Sequence, residues 1–173
     1  MRMDPGLDTG PVLSQRGLFI SPDETAGTLS LRLANLGAEL LIDTLPGYLE
    51  GTIQPQPQNT TIKSTYAPML KKEEGHLDFS QPVQSLARRV RAFNPWPGTF
   101  IFWNGQLLKI HQAHVEAEVG GEYTPGERVI LQDLPAISAL DGQLILDEVQ
   151  PAGKKSMPGK AFLQGARDWE VMS

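Results

Sequence analysis

Two carboxylates stand in a nine-residue segment near the start of the chain, Met3-Asp4-Pro5-Gly6-Leu7-Asp8-Thr9-Gly10-Pro11. Gly6, Leu7, Thr9 and Gly10 flank Asp8, and the two glycines let the backbone hold a carboxylate out of regular structure and next to a bound ligand. The competing reading is an aspartate that hydrogen-bonds its own turn, and Asp4 carries that reading as well.

A second set of residues could hold polyanions. Lys71, Lys72, Arg88, Arg89, Arg91 and Lys109 lie in the middle of the chain, and Lys154 and Lys155 follow Pro151-Ala152-Gly153. Paired ammonium and guanidinium groups position an RNA backbone, although an ordinary solvated face has the same composition. Bulk charge does not decide between them. Residues 66–173 hold 11 Lys+Arg against 13 Asp+Glu, a balance of −2, within a chain of net charge −5. The charges are segregated, however: residues 116–148 carry eight acids and a single Arg128, whereas residues 154–167 carry four bases and no acid.

Phe93, Trp96, Phe100, Phe102 and Trp103 could stack bases, but their positions beside a helix end and a hairpin make most of them core candidates. His111 and His114 fall on opposite faces of a regular strand, which argues against a joint catalytic or ligating role. No cysteine is present and the three histidines are scattered, so neither a disulfide nor a metal site is expected. No apolar run approaches the roughly 20 residues that span a bilayer, and the expected compartment is the cytoplasm.

Certain elements must position these groups. Residues 12–20 have strand-like composition. Pro22 to Thr25 then give helix-start chemistry, and Leu29, Leu33, Leu36 and Leu40 mark one face of a helix that Pro46-Gly47 should stop. That face must cover a sheet. Residues 51–65, rich in Gln, Pro, Thr and Asn, read as a linker. A second helix is expected with Ser80 as N-cap, Pro82 in its first turn and Val83, Leu86, Val90 and Phe93 inward, ending at Asn94-Pro95-Trp96-Pro97.

Asn104-Gly105 predicts a hairpin over residues 99–115. Further strands are expected at 128–132, 136–140 and 143–149, the last two joined by Asp141-Gly142. A closing helix should start near Pro158 and bury Phe162, Leu163, Ala166 and Trp169. About five short strands with one or two helices suggest a small OB-like barrel for residues 66–173.

Several stretches in this order carry a family resemblance: MDPGLDTGP, ETAGTL, LGAELL, TYAPMLKKEEGHLDF (65–79), RAFNPWPG (91–98), QPAGKKSM (150–157) and LQGAR (163–167). Together they resemble the C-terminal portion of the methionyl-tRNA formyltransferases. The resemblance implies an α+β chain. Residues 1–50 would be the tail of a Rossmann-like formyltransferase domain, 51–65 its linker, and 66–173 an OB-like domain that helps hold the initiator Met-tRNA. It implies 10-formyltetrahydrofolate as formyl donor, no metal and a monomeric full-length enzyme.

Family members share the chemistry among an Asn, a His and an Asp, of which the Asp matches Asp8. Residues 1–173 contain neither the family's Asn-x-His-Pro segment nor its Ser-Leu-Leu-Pro segment. The chain is therefore expected to be an N-terminally truncated piece that is inactive alone, with residues 1–50 loosely held and prone to self-association. A free-standing tRNA-binding module is the alternative. Sugar and folate formyltransferases, which share the loop and a related barrel, leave a different acceptor open.

Overall fold

The computed structural model describes residues 1–59, 61, 63, 65–116 and 122–170. Residues 60, 62 and 64 of the expected linker and 117–121 of the acidic stretch lie outside the described residues. The chain divides into two compact units, residues 1–69 and 70–173.

The first unit is built on α1 (Ala26–Leu49), capped by Thr25, whose hydroxyl accepts from Thr28 N–H while the Thr28 hydroxyl receives the Thr25 N–H. The helix runs past Pro46, whose missing donor falls in the last turn, and ends at Glu50. Leu29, Leu36 and Leu40 are half-buried, but Leu33 is exposed, and so are Leu31, Leu41, Ile42, Leu45 and Leu49. Residues 12–20 correct the expectation of a strand. Only Val12 forms a bridge, to Gln56, because no other described segment offers this stretch a ladder partner. Side chains hold it instead: Ser14 bonds Thr44 at 2.7 Å, and Arg16 pairs with Asp43 at 3.4 Å and Glu39 at 3.8 Å.

The entry to α1 is fixed by charge. The Glu24 side chain, 4% exposed, takes two hydrogen bonds from Arg32 Nη1 at 2.6 and 2.7 Å and one from Ser21 N–H, and Arg32 Nη2 also holds the Phe19 carbonyl. The Arg32 hydrogen bonds, with smaller help from Ser21, keep the Glu24 carboxyl below its ordinary value of 4.5. A depressed carboxylate stabilises the fold above that ordinary value, and the stabilisation is lost as pH falls through the lower, folded value. Helical signal followed through thermal melts from roughly pH 7 to pH 3 is therefore expected to weaken in acid less in Glu24→Gln than in the parent. Identical acid limbs in the two proteins would refute this.

The second unit is an antiparallel sheet with two short helices. Its strands are β1 (Thr99–Trp103), β2 (Gln106–Glu116), β3 (Arg128–Leu131), β4 (Leu134–Ser138), β5 (Gln143–Pro151) and β6 (Met157–Pro158), with spatial order β1-β2-β5-β4-β3 and β6 on β5. The expected hairpin is present, with Asn104 and Gly105 at φ 49° and 71°. A second two-residue turn, Gln132-Asp133 at φ 50° and 62°, joins β3 to β4. Asp141-Gly142 lies within a longer connection, since Ser138 pairs with Gln143.

The pairing does not close into a barrel: β1 and β3 each have one strand neighbour. The sheet nevertheless curls. A pocket of about 330 Å³ is lined both by Ile101 and Phe102 of β1 and by Arg128 and Ile137 of β3 and β4. The segment after the 3-10 turn Lys72–Gly75 lies along the β1 edge, with Leu77 N–H donating to the Phe100 carbonyl.

α2 (Val83–Ala92) packs Val83, Leu86, Ala87 and Val90 on β2 and β5. Ser80 does not cap it. The Ser80 hydroxyl donates to Asp78, and the first helical N–H, of Val83, is taken at 2.7 Å by the Asp141 carboxylate, 58 residues away. α3 (Gly159–Gly165) and the following turn bury Phe162, Ala166 and Trp169 as expected, whereas Leu163 is only half-buried at the edge of the core.

Candidate functional site

The loop of residues 2–11 is closed by Arg2 N–H donating to the Pro11 carbonyl at 2.9 Å. Inside it the two aspartates separate. Asp4 does the turn's work, its Oδ1 accepting from Gly6 N–H at 3.1 Å and from the Thr9 hydroxyl at 2.7 Å. Asp8, at φ 55°, is exposed, and no described residue donates a hydrogen bond to its carboxylate. Its backbone is held by Gln58, whose amide Nε2 donates at 2.8 Å to the carbonyls of both Asp8 and Gly10. Gly10 is buried, and a Cβ there would collide with the Arg2 carbonyl. Leu7 is 95% exposed at the tip.

The loop thus presents a carboxylate on a clamped backbone, with its acceptor positions uncommitted. Such a group can hold an imidazole N–H or an ordered water. It supplies no donor for an oxyanion. The Asx-turn spacing is a sequence signal shared by Asp4-x-Gly6 and Asp8-x-Gly10, so it does not separate the two aspartates. Gln58 had no such signal, because its contact is 48 to 50 residues distant.

The basic residues fall into three groups in the second unit. Lys71 and Lys72 begin the 3-10 turn, which Gly75 lets pack close to β1, since a Cβ there would strike the Gly98 carbonyl and the Phe100 ring. Arg88, Arg89 and Arg91 lie on α2, where Arg89 stacks on Phe93 at 5.3 Å and Arg91 donates to the Ala87 carbonyl. Lys154 and Lys155 follow β5 in a loop tied down by Ala152 N–H to the Leu107 carbonyl and by the Gln150 amide to the Lys154 carbonyl. All but the half-buried Arg91 are exposed, and among the described residues none of these seven forms an ion pair.

The aromatics divide by exposure. Phe93 is buried, and Trp103 packs edge-on to Phe162 at 5.1 Å. Phe102 is 61% exposed and Trp96 53%. His111 bonds Gln150 and His114 bonds both Asp147 oxygens at 2.8 Å, so the two imidazoles have separate partners. β-bulges around Gln112 replace the regular alternation assumed from sequence. Among the described residues no group of three His, Asp or Glu could hold a metal ion. None of their helices is long and apolar enough to cross a membrane.

Known proteins with similar sequence were found over nearly the whole chain. Methionyl-tRNA formyltransferase from Myxococcus xanthus is 44% identical over 168 residues, covering 95% of this chain and 52% of the relative. The Roseiflexus sp. protein of the same description is 38% identical over 167 residues, 96% of this chain and 51% of its own length. The chain thus spans about half the length of these curated relatives.

Solved structures share the fold. HypX from Aquifex aeolicus in complex with tetrahydrofolic acid superposes with a TM-score of 0.64 at 21% identity, over 92% of this chain and 28% of that one. An N-formyltransferase from Helicobacter canadensis, in complex with folinic acid and dTDP-3-aminofucose, gives 0.63 at 21% identity, over 86% and 53%. The family model described as formyl transferase, C-terminal domain, matches residues 69–167, and the chain belongs to that family.

Proposed function

We propose that this chain works as the C-terminal part of a methionyl-tRNA formyltransferase. Residues 70–173 hold initiator Met-tRNA through Lys71, Lys72, Arg88, Arg89, Arg91, Lys154 and Lys155, and Asp8 belongs to the formyl-transfer site, with Gly6, Leu7, Thr9 and Gly10 shaping its loop. Residues 1–50 are read as catalytic-domain tail, 51–65 as linker, and the curled sheet as the family's OB-like barrel. The supporting observation is the 44% identity to a protein of that description, over 95% of the chain.

The chemistry is acyl transfer. The neutral amine of the esterified methionine attacks the formyl carbon of 10-formyltetrahydrofolate, a tetrahedral oxyanion forms, and a proton leaves the attacking nitrogen as the folate nitrogen departs and is protonated. Asp8 acts through its neighbour: a carboxylate beside an imidazole raises its basicity and fixes its orientation. The uncommitted Asp8 carboxylate on a backbone clamped by Gln58 suits that task. The oxyanion donor and the base are not matched by any segment of residues 1–173. The exposed leucines of α1 are positions that a catalytic domain would cover. Both substrates are cytoplasmic solutes, so this reading places the protein in the cytoplasm, with a monomeric full-length enzyme.

The purified 173-residue chain is expected to bind initiator tRNA, with affinity falling steeply between about 50 and about 200 mM salt, and to leave Met-tRNA unformylated when supplied with the donor. Binding that ignores salt, or no binding at the lower salt, would overturn the role of the basic groups. Formylation by the isolated chain would overturn the assignment of the chemistry to residues beyond Asp8.

A further inference from the structure

Three rings form a platform on the outer face of β1. His76 lies 5.5 Å from Phe100 and 5.8 Å from Phe102, and Phe100 meets Phe102 edge-on at 5.8 Å. Strand alternation puts Ile101 into the core and Phe100 and Phe102 outward, and Phe102 keeps 61% of its surface exposed. Two lysines neighbour the rings, Lys109 by strand register and Lys72 along the chain. The register sets Phe100 opposite Lys109 and Lys109 opposite Gln150, so one row crosses the sheet from aromatic to ammonium to amide. Lys72 opens the 3-10 turn that ends just before His76, and Glu74 in that turn is directed back to the Lys71 N–H at 2.8 Å. The pocket of about 330 Å³ beside the rings is walled by His76, Phe79 and Phe102 and bordered by Arg128.

We infer that this platform takes an unstacked nucleobase of the bound RNA, its ring against Phe102 and His76 and the adjoining phosphates on Lys72 and Lys109. The inference rests on the tRNA-binding reading and adds to it a single-stranded segment as the substrate feature recognised here. Bases inside a duplex have both faces covered, so only an unpaired base can use an exposed aromatic ring. Such stacking tolerates any base and is independent of counterion release.

The full 173-residue chain, its Phe102→Ala variant and its Phe102→Trp variant are titrated with initiator tRNA and with a short single-stranded oligoribonucleotide at several salt concentrations, after melting curves show equal folding. Phe102→Ala is expected to weaken both RNAs about tenfold with an unchanged salt slope, and Phe102→Trp to retain the parent's affinity. Affinities within about twofold of the parent in Phe102→Ala would overturn the inference while leaving tRNA binding intact. So would a parent that binds tRNA but not the oligoribonucleotide, or a Phe102→Ala variant altered in sedimentation and not in RNA affinity, which would make the platform a protein contact. A parent that binds neither RNA removes the reading beneath it as well.

Discussion

Trp169→Ala is expected to destabilise the unit of residues 70–173 by about 3–5 kcal/mol, the range for deleting a fully buried large aromatic. Trp169 is fully enclosed, with the Phe162 ring edge-on at 5.5 Å and the Trp103 ring at 6.2 Å. Its indole N–H donates at 3.0 Å to the carbonyl of Val129 in β3, and Arg128 lies over its ring at 5.8 Å. The substitution therefore opens a cavity and removes the donor that ties an edge strand to the core. For a unit of this size the loss corresponds to roughly 15–30 °C in melting temperature. Trp169→Phe keeps most of the ring and forfeits the hydrogen bond, so it should fall between parent and alanine variant. Urea unfolding of the three proteins measures the series, and a loss below about 1 kcal/mol in Trp169→Ala would show that the cluster relaxes around the gap.

What could be read in advance depended on how local its cause was. Asn104-Gly105 fixed the hairpin because both residues accept positive φ, whereas Gln132-Asp133 adopts the same conformation without a glycine and left no comparable mark. Ser80 had the right type for a helix cap, but Asp78 engages it and Asp141 reaches α2 from 58 residues away. No local pattern announces such a contact. Residues 12–20 had strand composition and found a single bridge, since composition cannot provide a ladder partner. In Phe100-Ile101-Phe102-Trp103 every position suits a core, so the apolar run concealed which face Phe102 takes. The barrel expectation was strand counting, and the pairing that leaves β1 and β3 as edges depends on nonlocal register.

The candidate site followed the same division. The basic residues and Asp8 were visible as types in a pattern, but the division of labour between Asp4 and Asp8 was not, since both stand in Asp-x-Gly spacing. The Gln58 clamp, the His76 ring and the Arg128 border of the pocket come from distant segments and emerge only in three dimensions.

Neutralising four lysines together, Lys71, Lys72, Lys154 and Lys155 to alanine, should abolish most tRNA binding while leaving the fold intact. Each is exposed, and among the described residues none has an ion-pair partner to lose. Their backbones are nevertheless fixed to the β1–β2 hairpin from two sides. The turn holding Lys72 leads into the His76 bridge to Phe100 on the β1 edge, and the loop holding Lys154 and Lys155 is anchored at Leu107 of β2, opposite Phe102. Rigid backbones carrying mobile ammonium groups bind phosphates at little ordering cost beyond the side chains themselves.

If each lysine neutralises one phosphate, the slope of log affinity against log salt should shrink by about 3, and affinity at about 50 mM salt should fall a hundredfold or more. Arg89→Ala and Arg91→Ala provide the contrast. Their guanidinium groups are held by Phe93 and the Ala87 carbonyl, and each single loss should shrink the salt slope by no more than about one unit, the share of one phosphate contact. A quadruple variant whose slope matched the parent's would show that these lysines meet solvent and not RNA, and would shift the electrostatic contact to the α2 arginines and Lys109.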